Sequence, residues 1–259
     1  MRFNRIIFVS LLSIIMLCSA FTALEQHTNG VKIIVIDAGH GGRDPGCLGK
    51  DAQEKAINLD ISLKVGKLIK DSLPSVKVIY TRPDDRFVEL HDRAGIANKY
   101  NADLFISIHS NAGPKGMHGT ETYCMGLHKS EQNLDVAKRE NASILLEKDH
   151  DKNYDGFDPN SPQSYILFSL YQNGFLNSSL SLASKIEKEF KVTNKRHSRG
   201  VKQAGFLVLW KTSMPSVLVE TGFLTDSLEE HYLISEQGKR KTALGIFKAV
   251  KEYKVEMEE

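Results

Sequence analysis

Val31–Asp37 (VKIIVID), followed at once by the glycine-rich Ala38–Lys50 (AGHGGRDPGCLGK), is the stretch that decides the fold. A nearly continuous β-branched run belongs in a strand covered on both faces, which is the parallel-sheet pattern rather than the alternation of a half-exposed strand. Behind the loop, Ile57, Ile61, Val65, Leu68 and Ile69 recur at helical spacing up to Leu73-Pro74. Strand, loop and helix together make the first half of a parallel α/β unit.

Working outward, the same rhythm repeats. Val76–Tyr80 reads as a second strand, Leu90–Tyr100 as a helix, Leu104–Ile108 (LFISI) as a third strand and Gly119–Cys124 as a further one. Towards the end, Phe206–Leu209 and Val217–Val219 read as strands and Gly238–Tyr253 as a closing helix. The expected fold is one α/β domain over about 30–255, a mixed but mainly parallel sheet with helices on both faces. The rhythm breaks over Met125–Asn177. This polar stretch carries a helical piece near Glu131–Glu147, a turn-rich segment at Asn153–Pro162 and a second helical piece near Ser164–Leu176, before a core helix near Ser178–Phe190. Fifty residues exceed an ordinary connection, so the segment reads as a helical insertion with its own task.

The chain has 259 residues, 41% hydrophobic and 25% charged, which excludes wholesale disorder and a multi-spanning membrane protein. Its net charge of +2 comes from Arg2 and Arg5, so the remainder is balanced, which argues against a nucleic-acid partner held mainly by phosphate neutralisation. Residues 1–23 read as a secretory signal peptide: two arginines, an apolar run Ile6–Cys18 and small residues at Ala20 and Ala23. A retained anchor is the alternative. Leu17 is too large for a lipoprotein site at Cys18. The expected product is exported, periplasmic or associated with the cell wall, monomeric and without a stable membrane anchor. Cys47 and Cys124 remain, and their pairing is open.

Three side chains capable of metal or acid–base chemistry fall at strand ends. His40 follows the first strand, His109 closes the third (SIHSN), and Glu220 closes a later one (LVETG). Ligands in open α/β sheets bind beyond the carboxyl ends of the strands, so these residues share one edge. Glu54 starts the first long helix on the loop that carries His40. Each has a plainer explanation: a histidine satisfied within the core, a capping box Asp51-x-x-Glu54, or an ion pair at the sheet edge for Glu220. Taken jointly, two imidazoles and a carboxylate are the ligand set of a catalytic zinc with one open position, and a second carboxylate can move protons. Gly46–Lys50 lacks the earlier glycine and the hydroxyl residue of a phosphate loop, and there is no Gly-x-Ser-x-Gly elbow.

These motifs resemble those of the zinc-dependent N-acetylmuramoyl-L-alanine amidases, the family often called amidase type 3. The matching stretches are IVIDAGHGGRDPGCLG, TRPDDRFVEL, RAGIAN, ADLFISIHSNA, GTETY, RGVKQAGFLVL and MPSVLVETGFL. The resemblance implies one zinc ion held by His40, Glu54 and His109, with Glu220 as the catalytic glutamate. It implies hydrolysis of the amide between N-acetylmuramic acid and L-alanine of the peptidoglycan stem peptide, in wall remodelling or daughter-cell separation. Two positions depart from it: Thr225-Asp226 where relatives usually have asparagine, and Cys47 where alanine is common.

The resemblance to division-associated relatives extends into the insertion. It implies a helix that blocks the zinc site with a glutamate until a protein activator moves it. Lys138–Ala142 (KRENA) is the candidate, with Glu140 as inhibitory ligand and Glu147 in reserve. Asp37 is a candidate to orient a ligand histidine, while Arg82, Arg93 and Arg199 could meet substrate carboxylates or make structural ion pairs. Two rival functions remain: a zinc carboxypeptidase or endopeptidase acting on the stem peptide, and a non-catalytic wall-binding protein.

Overall fold

The computed structural model describes residues 30–169 and 174–259; the signal-peptide reading of 1–23 lies outside them. Six strands form one sheet: β1 (Ile33–Ala38), β2 (Lys77–Tyr80), β3 (Leu104–Asn111), β4 (Thr120–Met125), β5 (Ser198–Ala204) and β6 (Ser216–Phe223), in the order β2-β1-β3-β6-β4-β5. β2, β1, β3 and β6 are mutually parallel, β4 pairs antiparallel with β6, and β5 pairs parallel with β4. The carboxyl ends of the parallel strands and the amino end of β4 therefore share one edge.

The interior strands are apolar on both sides because both sides are covered. Ile34, Ile36, Leu104, Ile106, Ile108, Val217 and Val219 face helices α1 (Glu54–Ser72), α6 (Leu176–Val192) and α9 (Glu236–Glu258). On the opposite face Val35, Phe105, Tyr123, Met125 and Leu218 pack under α2 (Leu90–Lys99) and the segment between β4 and α6. That segment contains α3 (Glu131–Asn141), a 3₁₀ turn Ala142–Leu146, α4 (His150–Asn153) and α5 (Pro162–Ser169). Its Leu134, Val136, Ala137, Ile144, Tyr154, Phe157, Tyr165 and Phe168 are buried against the sheet. The insertion is half of a core layer, not an appendage.

Three local expectations change. Phe206–Leu209 is not a strand: the strand is the polar Ser198–Ala204 before it, and Leu207–Trp210 forms a single helical turn, α7, packed beside α2. An edge strand with one neighbour and half-exposed faces needs no apolar run, whereas the buried turn does. The helix expected over Glu131–Glu147 breaks at Asn141, whose side chain leaves the helix to bond Gly205 O at 2.8 Å and the Leu207 N–H at 2.9 Å. Ser227–Ile234 is a further helix, α8, capped by Asp226, which accepts the Leu228 and Glu229 N–H groups. Thr225 Oγ1 bonds Gly113 on both its N–H and its carbonyl. These roles account for Thr225-Asp226 in this chain.

Candidate active site

The loop after β1 is held in shape by two buried guanidinium groups. Arg82 donates to Ala38 O, Gly39 O and Lys55 O, each at 2.8 Å. Arg93 donates to Ala38 O and His40 O, each at 2.8 Å, and to Asp37 Oδ1 at 2.8 Å. They are structural, and Arg199 is engaged with Glu121 at 2.6 Å. Asp37 does not orient a histidine; it accepts from Thr81, Arg93 and Ser107 below the loop. The cost of this anchoring is measurable. Arg93→Ala leaves Asp37 buried without its cation, and breaking such a pair from one side costs roughly 3–5 kcal/mol. A matching drop in the urea-derived stability is expected, with Arg93→Lys restoring only part because it cannot make the fork.

His40 occupies the left-handed region at φ +62°, a conformation that disfavours side chains. Arg93 on its carbonyl and Asp44 on its ring, 2.8 Å from Nδ1, hold it there. Asp44 is the residue that aims His40, four positions on in the same loop, and it was not singled out by sequence. Gly39 must lack a side chain, since a Cβ would lie 2.3 Å from the His109 ring. His109 stands at the end of β3, where a register shift before Asn111 turns the Ser110 N–H out of the ladder. That N–H donates to Glu54 Oε1 at 3.0 Å, with Asn58 Nδ2 at 3.0 Å on the same oxygen and the Cys47 N–H at 2.8 Å on Oε2. No capping box forms: Gln53 is the N-cap and Glu54 faces the cleft. Cys47 and Cys124 are both free thiols.

The arrangement converges. His40 Nε2 lies 3.2 Å from Glu54 Oε1 and 3.0 Å from Glu140 Oε2; His109 Nδ1 lies 3.1 and 2.9 Å from the same two oxygens. His40, Glu54, His109 and Glu140 form a buried group whose ligand atoms all lie within 4.8 Å of one another and could hold a metal ion. Glu140 comes from α3 of the insertion. Glu147 does not join it, being occupied by the Leu90 N–H at 2.7 Å and the Tyr154 hydroxyl at 2.6 Å. His40 Nε2 and Glu140 Oε2 face each other without an aligned hydrogen bond, as expected where a cation belongs between them.

Charge tells the same story. Burial pushes both imidazoles towards neutrality, yet Glu54 and Asp44 hold His40 well above its ordinary value, and Glu140 and Glu54 raise His109 to about 9. Burial favours protonated carboxyls, yet the histidines keep Glu54 and Glu140 far below the carboxylate range. Two protons on the imidazoles thus balance two buried carboxylates, which is the charge a divalent cation would supply. Glu220 lies apart. It pairs in register with His109 on one side and Glu121 on the other, is fully buried, and neither carboxylate oxygen has a hydrogen-bond partner among the described residues. Burial, then the charge of Glu140, lifts its pKa well above the ordinary value.

A cation-ready His/Glu cluster beside an unpartnered carboxylate whose pKa burial raises, at the ligand-binding edge of an α/β sheet, defines a hydrolase-type site. The family model described as N-acetylmuramoyl-L-alanine amidase matches residues 34–252, and the chain belongs to that family. The N-acetylmuramoyl-L-alanine amidase AmiA of Escherichia coli K12 is 34% identical over 235 residues, covering 88% of this chain and 78% of the relative. The catalytic domain of CwlV, an N-acetylmuramoyl-L-alanine amidase from Bacillus (Paenibacillus) polymyxa, superposes with a TM-score of 0.63 at 30% identity, over 86% of this chain and 97% of that one. The CwlD amidase of Clostridioides difficile, solved in complex with the GerS lipoprotein, gives 0.61 at 30% identity, over 86% and 98%. Among the described residues no helix is long and apolar enough to cross a membrane.

Proposed function

We infer that this chain is a zinc-dependent peptidoglycan amidase, held closed by its own insertion. It hydrolyses the amide between the lactyl group of N-acetylmuramic acid and L-alanine of the stem peptide. His40, Glu54 and His109 hold one zinc ion, Glu220 moves the proton, and Glu140 fills the fourth position until a protein partner withdraws α3. The observation that carries the reading is the pair of contacts from Glu140 Oε2 to both histidine nitrogens, opposite Glu54, in a fully buried cluster. Two imidazoles and carboxylate oxygens are a borderline donor set that suits zinc.

Zinc, when bound, supplies a Lewis acid that polarises the scissile carbonyl and acidifies water. The chain's own groups do the rest. Glu220, with both oxygens free, takes the proton of the attacking water and passes it to the leaving alanine nitrogen. Asp44 fixes the His40 ring, and the Ser110, Cys47 and Asn58 donors fix both oxygens of Glu54. The buried surroundings strengthen each of these contacts by excluding water. Export to the periplasm or wall is the compartment where such a substrate lies.

Digestion of purified sacculi with the zinc-loaded chain, followed by mass spectrometry, tests the reading. Free stem peptides with an L-alanine amino terminus, lost on chelation, are expected. Released D-alanine or split cross-bridges with intact muramoyl peptides would instead favour the carboxypeptidase or endopeptidase. Wall binding without zinc or turnover would favour the non-catalytic protein.

Metal binding should also announce itself as proton release. The metal-free histidines are held protonated at neutral pH, and ligation needs them neutral. Calorimetry at pH 7 in buffers of different ionisation heat should therefore show about two protons released per ion. Affinity should fall steeply as pH is lowered. Release of no protons would mean that the histidines are already neutral and that the cluster is not charge-balanced as described.

A further inference from the structure

The insertion brings a second group to the cleft. Arg139, next to Glu140, donates from Nη1 to Ala112 O at 3.1 Å and from Nη2 to Asn111 Oδ1 at 2.6 Å, while Nε meets Glu140 Oε1 at 3.1 Å. Ala112 O and Asn111 Oδ1 are thus neighbouring acceptors on the chain just beyond His109. The chemistry described above uses neither.

Asn111 is fully buried and its amide can take one orientation. Nδ2 donates to Glu121 Oε2 at 3.0 Å, and an ionised carboxylate can only accept. Oδ1 is therefore turned to the cleft, where it also takes the Ala112 N–H at 2.8 Å. Glu121 is kept ionised: burial pushes its pKa up, but bonds from Lys202 at 2.6 Å, Tyr123 at 2.7 Å and Arg199 at 2.6 Å hold it below the ordinary value. Four side chains on β4 and β5 thus brace one amide whose oxygen faces the cleft, where it meets a guanidinium from the segment that must leave. Bracing of this kind serves recognition of a donor, and the substrate's donors beside the scissile bond are peptide N–H groups.

We propose that Asn111 Oδ1 and Ala112 O form the acceptor pair that takes the N–H of the amide joining L-alanine to the second stem residue, and that Arg139 takes the place of that N–H in the closed state. Glu140 and Arg139 together act as a pseudo-substrate. The carboxylate stands where the scissile carbonyl belongs, and the guanidinium stands where the next peptide N–H belongs, about one residue length, ~3.5 Å, along the chain. The pair would select a stem peptide with an unalkylated amide at that position. This inference rests on the amidase reading and on withdrawal of α3.

The test uses the full zinc-loaded chain carrying Arg139→Ala with Glu140→Ala, which vacates the acceptor pair, and a synthetic glycan fragment with stem peptides, made with either the amide or an ester at the second linkage. The ester removes the N–H without touching the protein. It should lower kcat/KM roughly 10–100-fold, the range for a desolvated acceptor left unpaired. Adding Asn111→Ala should cost the amide substrate a similar factor and the ester substrate much less, so the two changes couple in a double-mutant cycle. Zinc content and melting temperature are followed in parallel, with Asn111→Ser replacing the alanine variant should that one fail to fold. Independent, multiplying losses would overturn the proposal while leaving the amidase reading intact. Failure of the amide substrate to be cleaved at its lactyl–alanine bond would remove the amidase reading, and the acceptor pair with it.

Discussion

Glu220→Gln should bind zinc as the parent does and lose turnover by roughly 10²–10⁴-fold, the contribution of a general acid–base. The glutamine keeps the shape and cannot accept a proton from water. The same change should make the metal-free protein more stable. A buried carboxyl whose folded pKa is raised costs stability as pH climbs above its unfolded value of ~4.3, because the folded state binds the proton more tightly. The gain from glutamine should therefore be absent in acid, grow as pH rises from the unfolded value towards the raised folded pKa, and level off above it. A catalytic residue that destabilises its own fold is the expected trade between stability and activity. Stopped assays on sacculi, metal analysis and melting curves across pH would check all three effects. Near-parental rates in the variant would assign the proton transfer to another group.

How much of this could be read from sequence depended on how each signal is written. The interior strands β1, β3 and β6 are legible because cover on both faces demands unbroken apolar runs, and strand ends then place His40, His109 and Glu220 at one edge. Glu54 is legible as the first residue of an amphipathic helix. β5 is not, because Ser198–Ala204 (SRGVKQA) is held by backbone pairing with β4 and by polar side-chain bonds to Glu121 and Glu187, neither of which needs an apolar run. Leu207–Trp210 misleads for the opposite reason: four apolar residues suit a strand or one buried helical turn equally. Asp44 stands four residues from His40 in an irregular loop, where neither helical nor strand periodicity relates the two. The brace around Asn111 spans residues 111 to 202, and pairs that distant leave no local pattern. Glu140 was reached through resemblance; its helix, read alone, is a charged surface helix whose buried stripe is apparent only in the packed molecule.

Glu140→Ala should raise basal hydrolysis of sacculi, roughly 10–100-fold, since a charge-assisted contact worth about 1.5–3 kcal/mol to the closed state is removed. Two features make the point variant the right instrument. The insertion supplies Leu134, Ile144, Tyr154, Phe157, Tyr165 and Phe168 to the core, so deleting it would strip one face of the sheet and unfold what is to be assayed. Glu140 itself contributes a carboxylate rather than packing, and its removal leaves Arg139 still satisfied by Ala112 O and Asn111 Oδ1. The variant carries a second signature. The Glu140 charge is one of the forces that lift the Glu220 pKa, so its loss should move the acid limb of the pH–rate profile to lower pH. An inhibitory ligand predicts both changes together. A rate increase without the shift would mean that the two carboxylates do not sense each other once the ion is bound. A folded, zinc-loaded Glu140→Ala protein no more active than its parent would remove the inhibitory role and recast α3 as part of the substrate-binding wall.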